Sequence, residues 1–182
     1  MRTSDATILI VPGLGDSAPG HWQARWEAKL PTATRVVQPD WHRADRAQWT
    51  GEIVRAVAQA EKPVVLVAHS IGVAAVAHAM PLFARPVAGA FLVGLSDWGR
   101  PELLPGVPHD FAPIPRAPFT FPSWLIASRN DPYCDYEVAA DFANAWGAKL
   151  IDAGDSGHIN IDSGHGPWPE GLMSFASFMR NL

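Results

Sequence analysis

The stretch Pro63-Val-Val-Leu-Val-Ala-His-Ser70-Ile-Gly72, continuing from Val73 to Met80, constrains this chain more than any other. Its apolar run, Val64 to Ala68, shows no polar alternation and is rich in valine. That pattern predicts a parallel strand buried on both faces. After the turn His69-Ser70-Ile71-Gly72, Ala74, Ala75, Ala77 and Ala79 favour a buried helix. A serine on a tight turn between such a strand and such a helix has the nucleophile-elbow arrangement, usually Gly-x-Ser-x-Gly. Here it reads Ala68-His69-Ser70-Ile71-Gly72, with both flanking positions small so that the turn can close. The plain alternative is that Ser70 only caps the following helix.

Apolar runs and helical patterns alternate around this unit. Strands are expected at Thr7 to Val11, Thr34 to Gln38, Ala88 to Gly94, Ser123 to Ser128 and Lys149 to Ala153. Helices are expected at His21 to Leu30, Ala47 to Ala60, Asp135 to Trp146 and Pro169 to Arg180. The alternation predicts an α/β fold, a three-layer α/β/α sandwich with a parallel sheet of about six strands. Reactive residues in such sheets collect at the carboxyl ends of the strands. The segment from Asp97 to Pro122 departs from the pattern, since its seven prolines forbid a regular helix. It reads as an extended excursion within one domain spanning 1–182, not a linker, because the alternation resumes after it.

Composition closes off several functions. With 48% hydrophobic and 18% charged residues, the 182-residue chain is suited to a folded core. A net charge of −4 offers no electrostatic case for nucleic acid. No apolar run approaches the ~20 residues of a membrane span. The first run, Ile8 to Val11, falls short of the ~7 residues of a secretory leader's core. The single cysteine, Cys134, excludes an internal disulfide and suits the cytoplasm. The seven histidines show no metal-ligand spacing, so neither a metal nor another cofactor is expected. Eight tryptophans hint at an aromatic surface or pocket, although aromatic residues more often fill cores.

A serine hydroxyl attacks only when a base takes its proton and an acid orients that base. The chain supplies serine, acid and histidine in that order, each after a different expected strand: Ser70, Asp131 in Ser128-Arg-Asn-Asp-Pro132, and His158 in Asp155-Ser-Gly-His-Ile159. Taken singly, Asp131 is a good turn former and His158 an ordinary loop residue. Asp97 and His165 are rivals placed further from the expected strand ends, and Cys134 reads as a packed thiol. Oxyanion donors are expected from the backbone N–H groups of Ile71 and of Leu14 in Pro12-Gly13-Leu14-Gly15. That loop lacks the glycine and lysine pattern of a phosphate cradle.

These residues resemble the α/β-hydrolase superfamily, and more narrowly the small serine hydrolases of the retinoblastoma-binding protein 9 group. Val11-Pro-Gly-Leu-Gly15, Gly20-His-Trp22, Pro39-Asp-Trp41, the elbow, Asn130-Asp-Pro-Tyr133, Gly157-His-Ile-Asn160 and Gly166-Pro-Trp-Pro-Glu170 carry the likeness over nearly the full length. The resemblance implies a minimal sheet without a large cap domain, and Ser70, Asp131 and His158 as the triad. The Leu-x-Cys-x-Glu motif of retinoblastoma binding is absent. The expected activity is hydrolysis of a small ester, thioester or amide. Trp98, Leu103, Leu104, Phe111 and Phe119 are expected as apolar walls of the pocket, unless they merely cover the sheet. The alternative is a non-catalytic module that holds a protein or peptide on a hydrolase fold.

Overall fold

The computed structural model describes residues 1–103 and 110–182. Leu104, Pro105 and Pro108 of the excursion lie outside the described residues. Six strands form one sheet: β1 (Thr7–Val11), β2 (Ala33–Arg35), β3 (Val64–His69), β4 (Val87–Val93), β5 (Ser123–Ala127) and β6 (Lys149–Asp152). Their order is β2-β1-β3-β4-β5-β6, and every neighbouring pair is parallel. Among the described residues the α-helices are α1 (Trp22–Lys29), α2 (Arg46–Gln59), α3 (Ile71–Ala79), α4 (Tyr136–Trp146) and α5 (Pro169–Arg180).

Successive strand residues point to opposite faces, and each face has its own core. Leu9, Val11, Leu66, Ala68, Leu92 and Leu125 pack with Trp49, Ile53 and Val57 of α2, with α3, and with Trp146 of α4. Ile8, Ile10, Val65, Val67, Phe91 and Ile126 pack with Trp22 and Trp26 of α1 and Phe175 and Phe178 of α5. This second face absorbs much of the aromatic content: Trp22 lies 4.8 Å from Trp26 and 5.0 Å from Trp168, ring centre to ring centre. The result is the expected three-layer fold, and no large cap interrupts it among the described residues.

Two expectations need correction. The second strand ends at Arg35, short of the expected Gln38. Val36 still donates to the Ile10 carbonyl at 2.8 Å, but Pro39 has no N–H to continue the ladder. The aromatic walls fare worse. Trp98 and Phe111 are 2% and 0% exposed, 5.2 Å apart, and belong to the core over α2, α3 and α4. Phe119 stacks on Trp146 at 4.9 Å against the same core. Phe111 meets Trp49 of α2 and His78 of α3, so these rings are taken up by the helical layer on that side of the sheet. They do not line the cleft at Ser70.

The strand order also locates that cleft. From β1 the chain moves outward to β2, then returns to the other side of β1 as β3. At such a switch point the loops after the two strands diverge and leave a crevice at their carboxyl ends. The Pro12–Gly15 turn and the Ser70 turn face each other across it.

Candidate active site

Ser70 occupies a backbone conformation that side chains rarely adopt, with φ 57° and ψ −127°. Such a residue costs on the order of 1–3 kcal/mol and persists only where its surroundings impose it. The Ser70 N–H donates to the Val93 carbonyl at 3.0 Å, and the Ser70 carbonyl accepts from Val73 N–H at 3.0 Å. A Cβ at Gly72 would sit 2.6 Å from both the Val11 and Pro12 carbonyl oxygens. The small residue is therefore demanded by the end of β1. A Cβ at Gly13 would come within 2.8 Å of the Ser70 Cβ. Glycine at both positions lets the two turns touch. The Ser70 side chain makes no helix-capping bond.

Its hydroxyl instead lies 2.9 Å from His158 Nε2. His158 Nδ1 lies 3.0 and 2.9 Å from the two carboxylate oxygens of Asp131. Both His158 and Asp131 are buried. With Nδ1–H donated to the carboxylate, Nε2 is the acceptor for the serine proton. Asp131 comes from the turn after β5, where Oδ1 also accepts the Tyr133 N–H at 2.9 Å. The loop carrying His158 is fixed at several points. His69 Nε2–H donates to the His158 carbonyl at 2.9 Å, and Trp22 Nε1–H donates to the Ile159 carbonyl at 2.9 Å. Asn130 Oδ1 accepts the Gly157 N–H, and the Tyr133 ring meets the His158 imidazole nearly edge-on at 4.6 Å.

The family model for serine hydrolases matches residues 8–177, almost the whole chain. The chain belongs to the serine hydrolase family. A YdeN-like hydrolase from Pectobacterium atrosepticum is similar at 34% identity and a TM-score of 0.87, covering 97% of this chain and 91% of that one. The ydeN product of Bacillus subtilis is 19% identical with a TM-score of 0.79, covering 95% and 98%. Esterase 2 of Thermogutta terrifontis is 16% identical with a TM-score of 0.70, covering 100% and 85%; these last two likenesses are of fold. No curated protein matches in sequence.

Within this serine hydrolase, the rival residues are engaged elsewhere. Asp97 accepts the Gly99 N–H at 2.8 Å and lies 3.4 Å from Arg100. His165 bonds to Ser163 at 3.1 Å. Cys134 is buried in the core, and burial, reinforced by the negative charges of Asp131, Asp97 and Asp135, pushes its thiol up to about 12. A thiol so protonated is a poor nucleophile. Among the described residues no group of three or more His, Cys, Asp or Glu side chains is placed to hold a metal ion. Among them no helix is long and apolar enough to cross a membrane.

The cleft holds about 370 Å³ beside Ser70 and His158, and Leu14, His21, Tyr133, Asn160 and Ile161 contribute to its lining. Leu14 lies across from the serine, and Ile71 opens α3, where the first N–H groups have no partner within the helix. The exposed side chains of Leu14 and Ile161 give the mouth an apolar rim. Two neighbours escaped sequence reasoning. Buried Ser96 sits with its hydroxyl 3.0 Å from that of Ser70, a contact made because β4 lies next to β3. The other is His21, whose only signal was its place in Gly20-His-Trp22. Burial, with the charges of protonated His158 and of Arg35, lowers the His21 pKa to about 4. Burial likewise holds His69 well below the ordinary histidine range.

Proposed function

We propose that the protein hydrolyses small carboxylic esters, thioesters or amides through Ser70, His158 and Asp131. The observation that carries this reading is the continuous chain from the Ser70 hydroxyl through His158 to the Asp131 carboxylate, at 2.9 Å per link. Ser70 Oγ bonds to the substrate carbonyl carbon while its proton passes to His158 Nε2. Asp131 orients the imidazole and stabilises its positive charge. The N–H groups of Leu14 and Ile71 receive the oxyanion. His158 then gives the proton to the leaving oxygen, sulfur or nitrogen as that bond breaks. In the second half, water loses a proton to His158 and attacks the acyl carbon, and His158 returns that proton to Ser70 Oγ as the acyl–oxygen bond breaks and the acid leaves. The modest cleft with its apolar rim favours compact substrates.

Within the family we place the chain with the retinoblastoma-binding protein 9 group, on the motifs from Val11-Pro-Gly-Leu-Gly15 to Gly166-Pro-Trp-Pro-Glu170. We place it in the cytoplasm, where a lone buried thiol stays reduced. Labelling with a fluorophosphonate tests the chemistry. Wild type is expected to label and Ser70→Ala not to. If wild type fails to label and turns over no p-nitrophenyl ester, the fold serves binding instead.

A further inference from the structure

The Gly20-His21-Trp22 stretch supports the site through Trp22, but its histidine takes no part in the proposed proton relay. His21 caps α1, its Nδ1 accepting the Gln23 N–H at 3.2 Å. A neutral ring that accepts at Nδ1 carries its hydrogen on Nε2. The ring is 6% exposed, and it lines the cleft beside Ser70. Trp22 and His69 hold it, with ring centres 5.4 and 5.1 Å away. Among the described residues no acceptor is bonded to Nε2. An N–H that opens on a cavity and has no protein partner is satisfied by whatever occupies that cavity, water or a ligand.

We infer that His21 is a substrate-binding residue whose Nε2–H donates to an uncharged oxygen of the substrate away from the scissile bond. The inference rests on the serine hydrolase reading of the cleft and narrows its substrate class. Esters or amides carrying an additional carbonyl, ether or hydroxyl oxygen are preferred over hydrocarbon counterparts of equal size. Asp162 lines the same cleft and disfavours a carboxylate as the acceptor, whereas the charge of Asp16 is offset by Arg35 at 2.7 Å. With its pKa lowered to about 4, the ring stays neutral while His158 works. It therefore offers one donor of constant character and does not compete as a base.

Because His21 also caps a helix, its loss can act through stability alone. His21→Asn separates the two roles. Asparagine keeps a side-chain oxygen for the Gln23 N–H, but is too short to place a donor where Nε2 lies. Two substrate pairs probe the two sides of the scissile bond. They are p-nitrophenyl methoxyacetate against p-nitrophenyl butanoate, and 2-methoxyethyl butanoate against butyl butanoate. The ratio of kcat/KM within a pair, compared between wild type and variant, cancels intrinsic reactivity. In one of the pairs His21→Asn is expected to lower the ether preference roughly three- to ten-fold, the worth of a neutral hydrogen bond. The loss should fall mainly on KM, at an unchanged Tm. Unchanged ratios in both pairs, with Ser70 still labelled by fluorophosphonate, overturn the inference and leave the hydrolase reading intact. Failure of wild type to label overturns the hydrolase reading itself. Should His21→Asn fold poorly, His21→Ser, which also retains a capping oxygen, carries the same comparison with the same outcomes.

Discussion

Two stretches outside the sheet follow strand ends in this molecule, 153–168 and the described parts of 97–122, and the bonds that hold them serve different ends. The stretch 153–168, between β6 and α5, is pinned by hydrogen bonds. Trp22 holds Ile159, His69 holds His158, Asn130 holds Gly157, and Asn160 and Ser163 hold each other. Gly157 and Ile159 take left-handed backbone angles, φ 56° and 49°, on either side of the histidine. In the described parts of 97–122, the bonds from Trp146 Nε1–H to the Pro115 carbonyl and from Phe119 N–H to the Trp146 carbonyl fasten a segment whose rings, Trp98, Phe111 and Phe119, pack into the core beside α2, α3 and α4. Directional bonds place one imidazole to within hydrogen-bonding tolerance of a serine. Burial of rings secures a segment without aiming any of its aromatic side chains into the cleft. Under the proposed mechanism, the comparison assigns the first stretch to chemistry and the second to stability.

The widest test sets the two candidate acids against each other. Asp131→Asn should lower kcat/KM on a p-nitrophenyl ester by roughly a thousand- to ten-thousand-fold. Asp97→Asn should change it by no more than about threefold, since asparagine keeps the oxygen that accepts the Gly99 N–H. The reverse ranking would transfer the chemistry to the proline-rich stretch. Next, Phe111→Ala should cost about 3–5 kcal/mol in urea denaturation, as for a fully buried ring, with KM of the folded protein unchanged. A raised KM at undiminished stability would return Phe111 to the pocket wall.

A third test reads acid sensitivity. The pKa of His21 falls from 6.5 to about 4 on folding. Above pH 6.5 the ring is neutral in both states, and its contribution to stability is complete. As pH falls from 6.5 toward 4 the unfolded chain binds a proton that the folded protein refuses, so stability is lost across that window. The loss amounts to about 3 kcal/mol, and His69 adds to it in the same direction. Denaturation at pH 7 and pH 4 should therefore show His21→Asn losing less stability than wild type by about that amount. Equal losses would mean that His21 takes no part in the acid sensitivity.

Much of the fold could be read directly from the chain. Val64 to Ala68 and the alanines after it announce a buried strand and helix, because continuous apolar character and helix propensity are local properties. The order of Ser70, Asp131 and His158 was also legible, since each follows an apolar run that ends in a turn. The fate of the aromatic excursion was not. Prolines forbid a helix locally, but they carry no information about which surface the intervening rings will cover.

What the sequence determined by itself was the set of elements and the small residues that let the elbow close. Gly13 and Gly72 can be identified as special in the chain, yet the atoms that crowd them belong to Ser70 and to the end of β1. Only the tertiary structure brought Ser96 to Ser70, Trp22 to Ile159 and His69 to the His158 carbonyl. The physical reason is that these bonds join residues far apart along the chain, and they form only once the parallel strand order has set their elements side by side. Short-range pattern encodes which way a side chain faces, whereas long-range register decides what it meets.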